Sequence, residues 1–595
     1  MKGRLKSALA LFFLAICQCV FCQAQVRYGV SLENAERHLV QITLEVPQGS
    51  DARELQLPVW NALYQVRDFS QYMSQIHAED ASGRPLKIVP INKSRWRITG
   101  AANGARMRYE MFCDNPGPFG AEFNGHHAFF NLAEILLYTD DQRSDPVQIE
   151  FQNLPARWKI ATPLQAVGDA FLADNYDRLV DSPVEIGDFR ESDFDQDKGH
   201  YRVIVDAEPG DYDMEKIVGQ LRKIVAAATN WINDRPFETY IFIYHFPRGP
   251  TGGGMEHAYS TAINMNADVL RRTPARFAGV TAHEFFHLWN VKRIRPQSLE
   301  PIDYTKENYT PALWFSEGVD STASDYIQLR AGLLDERHFL DHLAQEITEL
   351  QNRPAHLTQS VEESSLDAWL EKHPYYGLPE RSISYYEKGE LLGVLLDLAM
   401  RNASQDRASL RDLFRWLNEQ YAKQTKFFAD SEALQQAAET LSRADLRTFF
   451  LKYVSGTEEI PWDEFLAPVG LHLLKQEVAV AAPGFDAVQK FDQPPAVVRV
   501  QPGSEAERAG LKPDDVIVQI NGKSVGRDFE TQLAAHGPGV TLRLLVSRDG
   551  REQELKWRLG SRNQTTYQLQ NVPNINAQQK ARRAAWLFDR SEQIP

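Results

Sequence analysis

The spacing of hydrophobic and polar residues divides the chain into regions of different character. Residues 26–170 are rich in short apolar–polar alternations, which are typical of half-buried strands. Glycine, proline and asparagine turns separate these runs, the clearest of which are 37–46, 86–91, 96–98 and 147–151. Short strands at this spacing predict a β-sandwich-like N-terminal domain.

From about residue 175 the apolar positions follow a helical period instead. Residues 214–233 carry apolar side chains three or four positions apart, and 240–246 form one compact apolar strand. Residues 276–455 are mostly helical by pattern, most clearly at 390–401 and 432–454. This arrangement predicts one mixed α/β domain of enzyme size with a helical C-terminal half.

The pattern changes again near residue 470, where a small α+β module begins. Strands are predicted at 497–500, 516–520 and 542–546 and a helix at 528–535, and the polar tail ends in an amphipathic stretch at 578–588. The whole chain is therefore predicted to be a multidomain α+β protein. Its predicted segments are a leader (1–24), an N-terminal β domain (25–172), a catalytic domain (173–468), the small module (469–562) and a tail (563–595).

The first 24 residues have the composition of a secretory signal peptide. Three basic residues within the first six precede an apolar stretch at 8–20, which is too short to span a bilayer comfortably. Cleavage after Ala24 and export to the periplasm or the medium are predicted. Three of the four cysteines lie in this leader, so lipoprotein processing is the alternative. The mature chain then keeps only Cys113, expected to be a buried small hydrophobe, and has no internal disulfide.

Composition and charge mainly exclude certain classes of protein. The 595-residue chain has a formal net charge of −15, so a basic surface for nucleic acid is not expected. Hydrophobic residues make up 43% of the chain, which is enough for large packed cores. After the leader, no stretch of the sequence is long and apolar enough to predict a transmembrane segment.

The segment 281–290, Thr-Ala-His-Glu-Phe-Phe-His-Leu-Trp-Asn, carries the candidate metal chemistry. His283 and His287 are four residues apart, so on a helix both imidazoles project from one face and can bind one ion. Glu284 is offset from His283 by about 100° and can reach a water at the ion rather than the ion itself. The apolar flanks predict a buried helix, and an exposed helix with two surface histidines is the alternative.

Glu317, in the segment Leu-Trp-Phe-Ser-Glu-Gly at 313–318, is the candidate third ligand. A carboxylate in such an apolar run is costly to bury unless it is paired or bound to metal. Two histidines and one carboxylate leave the fourth zinc position open, as a catalytic site requires. A helix over 314–327 would carry Glu317, and Asp320 would orient a ligand histidine. The alternative is a capped helix start with Glu317 in a salt bridge.

The run HEFFHLWNVKRIRP at 283–296, followed by WFSEG at 314–318, resembles the glycyl aminopeptidase family of gluzincin metallopeptidases, which carry a C-terminal PDZ domain. The similarity covers most of the mature chain and includes LPVW at 57–60 and RDF at 67–69. It implies a thermolysin-like catalytic domain that binds one zinc ion. Residues 319–326 depart from the family's pattern, so a preference for glycine is not carried over.

The same resemblance extends to GGMEH at 253–257, a motif that lies along the substrate in related aminopeptidases. It implies that Glu256 binds the free α-amino group of the substrate and that Gly253 and Gly254 border the substrate backbone. A carboxylate at this place pairs with an ammonium group and fixes the cut at the N-terminal residue. An ordinary acidic residue of a turn and strand is the alternative.

The segment SYYEKG at 384–389 resembles the one that holds the family's catalytic tyrosine. This implies that Tyr386 donates a hydrogen bond to the developing oxyanion. Tyr385 is the alternative donor, and the other alternative is that both rings only fill space.

The runs GSEAERAGL at 503–511 and DDVIVQING at 514–522 resemble a PDZ domain, with a tight hairpin turn at Asn521 and Gly522. PDZ domains bind an extended peptide at a sheet edge, so a peptide or protein C-terminus is the expected partner. Gly484 and Phe485 are the candidate carboxylate-binding loop. A purely structural appendage is the alternative.

Taken together, these features predict a zinc-dependent peptidase, and the family resemblance favours an aminopeptidase acting on peptides with a free N-terminus. Glu284 is the predicted base that takes the proton from the attacking water and passes it to the leaving amine. Two alternatives stay open. One is an endopeptidase on the same scaffold, and the other is a PDZ-bearing peptide-binding adaptor with an inactive metal site.

Overall fold

The computed structural model describes residues 26–61, 64–249, 251–370, 378–489, 494–525 and 529–589. The predicted leader lies outside these residues. The described residues form two compact units, one of those up to 190 together with 304–306 and the other of those in 191–303 and from 307 onward.

Three sheets build the first unit, which confirms the prediction of an N-terminal sheet domain. Along Leu39–Val46 every second residue is buried, so one face of the strand packs into the core. The predicted strand at 37–46 starts late, because Ala35–Arg37 form a 3-10 turn that ends at His38 with φ 55°. The strands in sheet order are Gln165–Val167, Ala170–Ala173, Val147–Gln152, Val26–Asn34, Leu39–Val46, Ala105–Phe112 and Met73–Asp80; Tyr138–Thr139, Ala52–Gln56, Arg95–Thr99 and Ile88–Asn92; and Lys159–Ala161, Val184–Gly187, His127–Phe130 and Ala121–Phe123. The short helices of this unit are Leu132–Ile135 and Tyr176–Val180. Cys113 is a free, buried cysteine, as expected.

The second unit begins with a five-stranded sheet. Thr239–His245 pairs in parallel with a strand on each side, whereas the edge strand Gly252–Glu256 runs antiparallel to its neighbour. In sheet order the strands are Arg190–Gln196, Gly199–Asp206, Thr239–His245, Ser260–Met265 and Gly252–Glu256. The edge strand has a free side along which another extended chain can pair.

Helices make up most of the chain from 267 to 466, as predicted. The predicted helix over 432–454 is wrong as one piece, because Arg443 adopts φ 57° and ends its first part. The helices are Met214–Ile232, Ala267–Arg272, Pro274–Phe286, Trp314–Val319 (π-helical), Asp320–Ala331, Glu336–Gln351, Val361–Leu366, Tyr385–Ser404, Leu410–Gln420, Asp430–Ser442, Arg447–Phe449, Phe450–Val454 (π-helical) and Trp462–Leu466. No helix in the described parts of the chain has both the length and the apolar character needed to cross a membrane.

The PDZ domain has its own core around Phe485, Ile517, Leu544 and Trp557. Asn521 and Gly522 have φ values of 49° and 79°, as the tight turn between two paired strands requires. Its strands are Phe485–Val488, Ala496–Val500, Val516–Ile520, Lys523–Ser524, Thr541–Arg548 and Arg551–Arg558, and its helices are Glu505–Arg508 and Phe529–Ala534.

The last 30 residues of the described chain are more ordered than a polar tail. Leu471–Ala482 pairs with Gly560–Asn571 in an antiparallel ribbon that flanks the PDZ domain on both sides in sequence. The following helix, Ala577–Phe588, buries Trp586 completely, and the indole Nε1 donates to the Tyr326 hydroxyl at 2.6 Å. The C-terminal segment is thus packed on the helix Asp320–Ala331 of the helical region.

Candidate metal centre

The helix Pro274–Phe286, called the histidine helix below, carries His283 in its last turn and His287 at its C-terminal cap. Proline at the first position suits the helix start, because that residue needs no N–H donor there. Phe277, Phe285 and Phe286 are fully buried and pack the helix into the core. The two histidine Nε2 atoms lie 3.1 Å apart, as the four-residue spacing predicts.

Glu317 lies in the π-helical turn Trp314–Val319, called the glutamate turn below, which continues directly into Asp320–Ala331. Its Oε2 is 3.3 Å from His287 Nε2 and 3.7 Å from His283 Nε2. Ligands in a tetrahedral zinc site are about 3.3–3.5 Å apart, given metal–ligand bonds of about 2.0–2.2 Å. The three atoms therefore have the separations of a tetrahedral zinc site with one open position.

The protonation pattern also fits a cation at this place. His287 Nδ1 lies 2.7 Å from the Asn290 carbonyl oxygen and must donate to it, so in the neutral ring Nε2 presents a lone pair toward Glu317. Burial alone would lower the pKa of His287, but the carboxylates of Asp320 and Glu317 raise it. These groups favour a positive charge between them, and a bound metal ion supplies one.

Asp320 lies on the Nδ1 side of both rings. It is fully buried, and its carboxylate oxygens are 3.3 Å from His283 Nδ1 and 3.5 Å from His287 Nδ1. The ligating atoms of Asp320, His283 and His287 lie within 4.8 Å of one another. Asp320 nevertheless faces the two Nδ1 atoms, which point away from Glu317. This is the geometry of a residue that orients ligand histidines, as was predicted for Asp320.

Asn290 was not singled out by sequence reasoning, yet it connects the two halves of the site. It is completely buried, and its side-chain Nδ2 donates to the backbone carbonyl of Phe315 at 3.1 Å. The backbone carbonyl of Asn290 accepts from His287 Nδ1. It thereby fixes the histidine helix against the glutamate turn. One indication of this role is present in the sequence, because a polar amide stands three residues after His287 within an apolar run.

Glu284 lies beside the ligands without joining them. Its Oε2 is buried and has no hydrogen-bond partner among the described residues. Burial raises the pKa of this carboxyl to about 8, assisted by Glu256 and Glu317 and opposed by His287. A Cβ at Gly254 would collide with the Glu284 carboxyl. The edge strand therefore passes directly over this group, and a side chain at Gly254 would displace the Glu284 carboxyl.

Glu256 ends the edge strand Gly252–Glu256, and only 8% of it is exposed. Its charge acts on His283, Glu284 and His287, so the edge strand brings it to the metal centre. Gly253 adopts φ 116°, a conformation that side chains rarely allow. The structure thus brings together the residues predicted to contact metal and substrate.

The helix Tyr385–Ser404, called the tyrosine helix below, begins at the same site. The ring of Tyr386 is 6.3 Å from that of His283 and 36% of the residue is exposed, whereas Tyr385 is 8% exposed. The two tyrosine rings stack at 4.8 Å rather than diverging. The ring of Tyr386 thus lies beside that of His283, one of the predicted ligands.

Comparisons with known proteins agree with this description of the site. Residues 27–188 match the Peptidase M61 N-terminal domain, 276–392 match M61 glycyl aminopeptidase, and 497–546 match a PDZ domain. A solved aminopeptidase N family protein from Idiomarina loihiensis is 25% identical, with a TM-score of 0.81, over 95% of this chain and 100% of that one.

Two further similarities are more distant. An M1 zinc metallopeptidase from Deinococcus radiodurans is 16% identical over 74% of this chain and 94% of that one, with a TM-score of 0.45. A probable CtpA-like serine protease from Staphylococcus haemolyticus is 27% identical over 119 residues, which are 19% of this chain and 24% of that protein. The chain thus spans about a quarter of the curated relative that it matches.

The resemblance seen in the sequence is confirmed by matches to two consecutive domains of one family in the expected order, followed by the PDZ domain. The fold is shared with a solved relative over nearly the whole chain. The chain therefore carries the N-terminal and peptidase domains of the M61 glycyl aminopeptidase family, in the fold of the solved relative.

Proposed function

We propose that the protein is an exported zinc-dependent aminopeptidase that removes residues from the free N-terminus of peptides. The observation that carries this proposal is the position of Glu256, buried at the end of an edge strand and acting on the metal centre. A peptide that pairs along Gly252–Glu256 would place its terminal ammonium against this carboxylate. The carboxylate would then limit productive binding to unblocked peptides.

His283, His287 and Glu317 would hold the zinc ion. A zinc ion there supplies a Lewis acid and lowers the pKa of water. Glu284, buried beside these residues, would take a proton from the attacking water and return it to the leaving amine. Tyr386 would donate a hydrogen bond to the oxyanion, and the closeness of its ring to that of His283 supports this role.

Peptides with free and with acetylated N-termini should separate an aminopeptidase from an endopeptidase. We expect the wild-type protein to cleave the free peptide with a kcat/KM at least about 100-fold higher, because acetylation removes the charge that pairs with Glu256. Glu256→Gln should lower kcat/KM for the free peptide by about 10–100-fold and reduce this discrimination. The measurement is release of the first residue, quantified by mass spectrometry.

Glu238→Gln is the matched control, because Glu238 is exposed and precedes another strand of the same sheet. It should leave both rates unchanged. Equal cleavage of the free and the acetylated peptide, or internal cleavage of both, would contradict the aminopeptidase assignment and favour the endopeptidase.

Tyr386→Phe should lower kcat by about 10²–10³-fold, the usual cost of losing one oxyanion donor. Tyr385→Phe removes the same atom from the adjacent, more buried ring and should change kcat less than about threefold. Steady-state kinetics of both variants on one peptide, with zinc content measured in parallel, tests the assignment. A larger loss in Tyr385→Phe would transfer the role to that residue.

A peptide or protein C-terminus is the proposed ligand of the PDZ domain. Phe485–Val488 is an edge strand of its sheet, so an added peptide strand has a side on which to pair. The turn before it, at Gly484, has φ 84° and would form the carboxylate-binding loop. Export is proposed from the composition of the leader.

A further inference from the structure

A second cluster of metal-ligating side chains lies outside the site described above. Asp325, His342 and Glu390, called the Asp325 cluster below, come from three different helices, and their ligating atoms lie within 4.8 Å of one another. His342 Nε2 is 2.9 Å from Glu390 Oε1 and 3.9 Å from Asp325 Oδ2. Donors around one zinc ion are about 3.3–3.5 Å apart, so binding an ion would draw Asp325 closer to the other two residues.

The cluster contains carboxylate oxygens that nothing in the described chain satisfies. Asp325 Oδ2 is buried and has no hydrogen-bond partner, and the same holds for Oε2 of Glu346, one turn after His342 on the same helix. The Asp325, Glu346 and Glu390 side chains are only 15%, 12% and 9% exposed. Buried polar atoms of this kind are costly unless a proton, a donor or a cation reaches them.

Several carboxyl groups crowd the cluster, and burial together with the neighbouring Glu390 raises the pKa of Asp325 and of Glu346 to about 8. Glu346 and Glu387 add their charges to those of Asp325 and Glu390, and His342 is the basic group inside the cluster. Arg353 acts on Glu387, at the margin of the group. One imidazole cannot neutralise these largely buried carboxyl groups, so they must either hold protons or share a divalent cation.

We propose that the Asp325 cluster is a second metal site, in which Asp325, His342 and Glu390 bind a divalent transition-metal ion such as Zn²⁺ and Glu346 completes its surroundings. A ligand set of one imidazole and several carboxylates suits such an ion. The His342 side chain is 40% exposed, which leaves a path for the ion to enter.

The position of the site gives the ion a structural role. Asp325 follows the glutamate turn on the same helix, and Glu390 lies one turn, about 6 Å, after Tyr386 on the tyrosine helix. An ion bound here would join these two helices to Glu336–Gln351. It would thereby fix Tyr386 relative to Glu317 without touching the substrate.

Zinc stoichiometry of the full chain tests this site independently of any peptidase activity. After removal of metal and reloading with Zn²⁺, we expect two equivalents in the wild-type protein by elemental analysis. The double variant Asp325→Asn/His342→Asn should keep one, and His283→Ala/His287→Ala should also keep one. The matched control is His338→Asn, one turn earlier on the same helix and exposed, which should keep two.

Two results would overturn the proposal: no zinc in His283→Ala/His287→Ala, or two equivalents in Asp325→Asn/His342→Asn. If the double variant does not fold, the isosteric Glu390→Gln replaces it, and calorimetric titration with Zn²⁺ should show a loss of at least tenfold in affinity for one of the two sites. Added Zn²⁺ should also raise the Tm of His283→Ala/His287→Ala, and an unchanged Tm contradicts the site.

Discussion

Replacing Glu284 with glutamine should reduce kcat for peptide hydrolysis by about 10²–10⁴-fold, the usual contribution of a general base. The amide has the shape of the carboxylate and fits beneath Gly254, but it cannot accept a proton from the attacking water. The three atoms that would bind the ion belong to His283, His287 and Glu317. Since none belongs to Glu284, the zinc content should stay at the wild-type value. Elemental analysis together with steady-state kinetics makes the measurement.

Glu317→Gln provides the contrast. This substitution also replaces a carboxylate with an amide, but in a residue whose Oε2 lies 3.3 Å from His287 Nε2. This variant should lose zinc affinity as well as activity. Retained activity in Glu284→Gln would make the base assignment wrong, and loss of zinc in that variant would move Glu284 into the ligand set.

The metal centre could be predicted from the sequence because the arguments for it use only residues close to one another in the sequence. The four-residue spacing of His283 and His287 is a property of any α-helix, and a carboxylate within an apolar run requires a partner. These two arguments named three residues that the structure places 3.1–3.7 Å apart. The roles of Glu256 and Tyr386 came from resemblance, because neither residue type has a spacing that indicates its chemistry.

Features that depend on distant contacts could not be predicted in this way. The π-helical form of the glutamate turn follows from how Trp314–Val319 packs, since the same residues also suit an α-helix. Asn290 links two elements, and a single asparagine gives no sign of its partner. The Asp325 cluster assembles from three helices, so its members are far apart in sequence.

The C-terminal helix was predicted only as an amphipathic stretch. Its pattern indicates an apolar face but not the surface that covers it. The structure shows that Trp586 occupies the interior beside Tyr326, so the chain after the PDZ domain returns to the helical region. Such long-range returns are invisible to periodicity, which reports only neighbours within a few turns.

Gly389→Ala should destabilise the protein by about 1–3 kcal/mol, the usual cost of forcing an extra methyl group into a filled space. A Cβ at Gly389 would collide with the Trp314 carbonyl oxygen and lie 3.0 Å from the Gly318 Cα. Both are backbone atoms and cannot turn aside as a flexible side chain can. The tyrosine helix would therefore have to move away from the glutamate turn, which carries Glu317.

Gly219→Ala is the matched control, because Gly219 is also inside a helix, Met214–Ile232, but a Cβ there meets nothing within 4 Å. This variant should gain about 0.5–1 kcal/mol, because alanine favours the helix. Calorimetry should place the two Tm changes on opposite sides of wild type, by about 1 °C per kcal/mol for a folding unit of this size. If the close contact between the two helices positions Tyr386 against the ligands, Gly389→Ala must also lower kcat at temperatures where it is fully folded, while Gly219→Ala leaves kcat unchanged. A Gly389→Ala protein as stable and as active as wild type would show that this contact does not hold the site together.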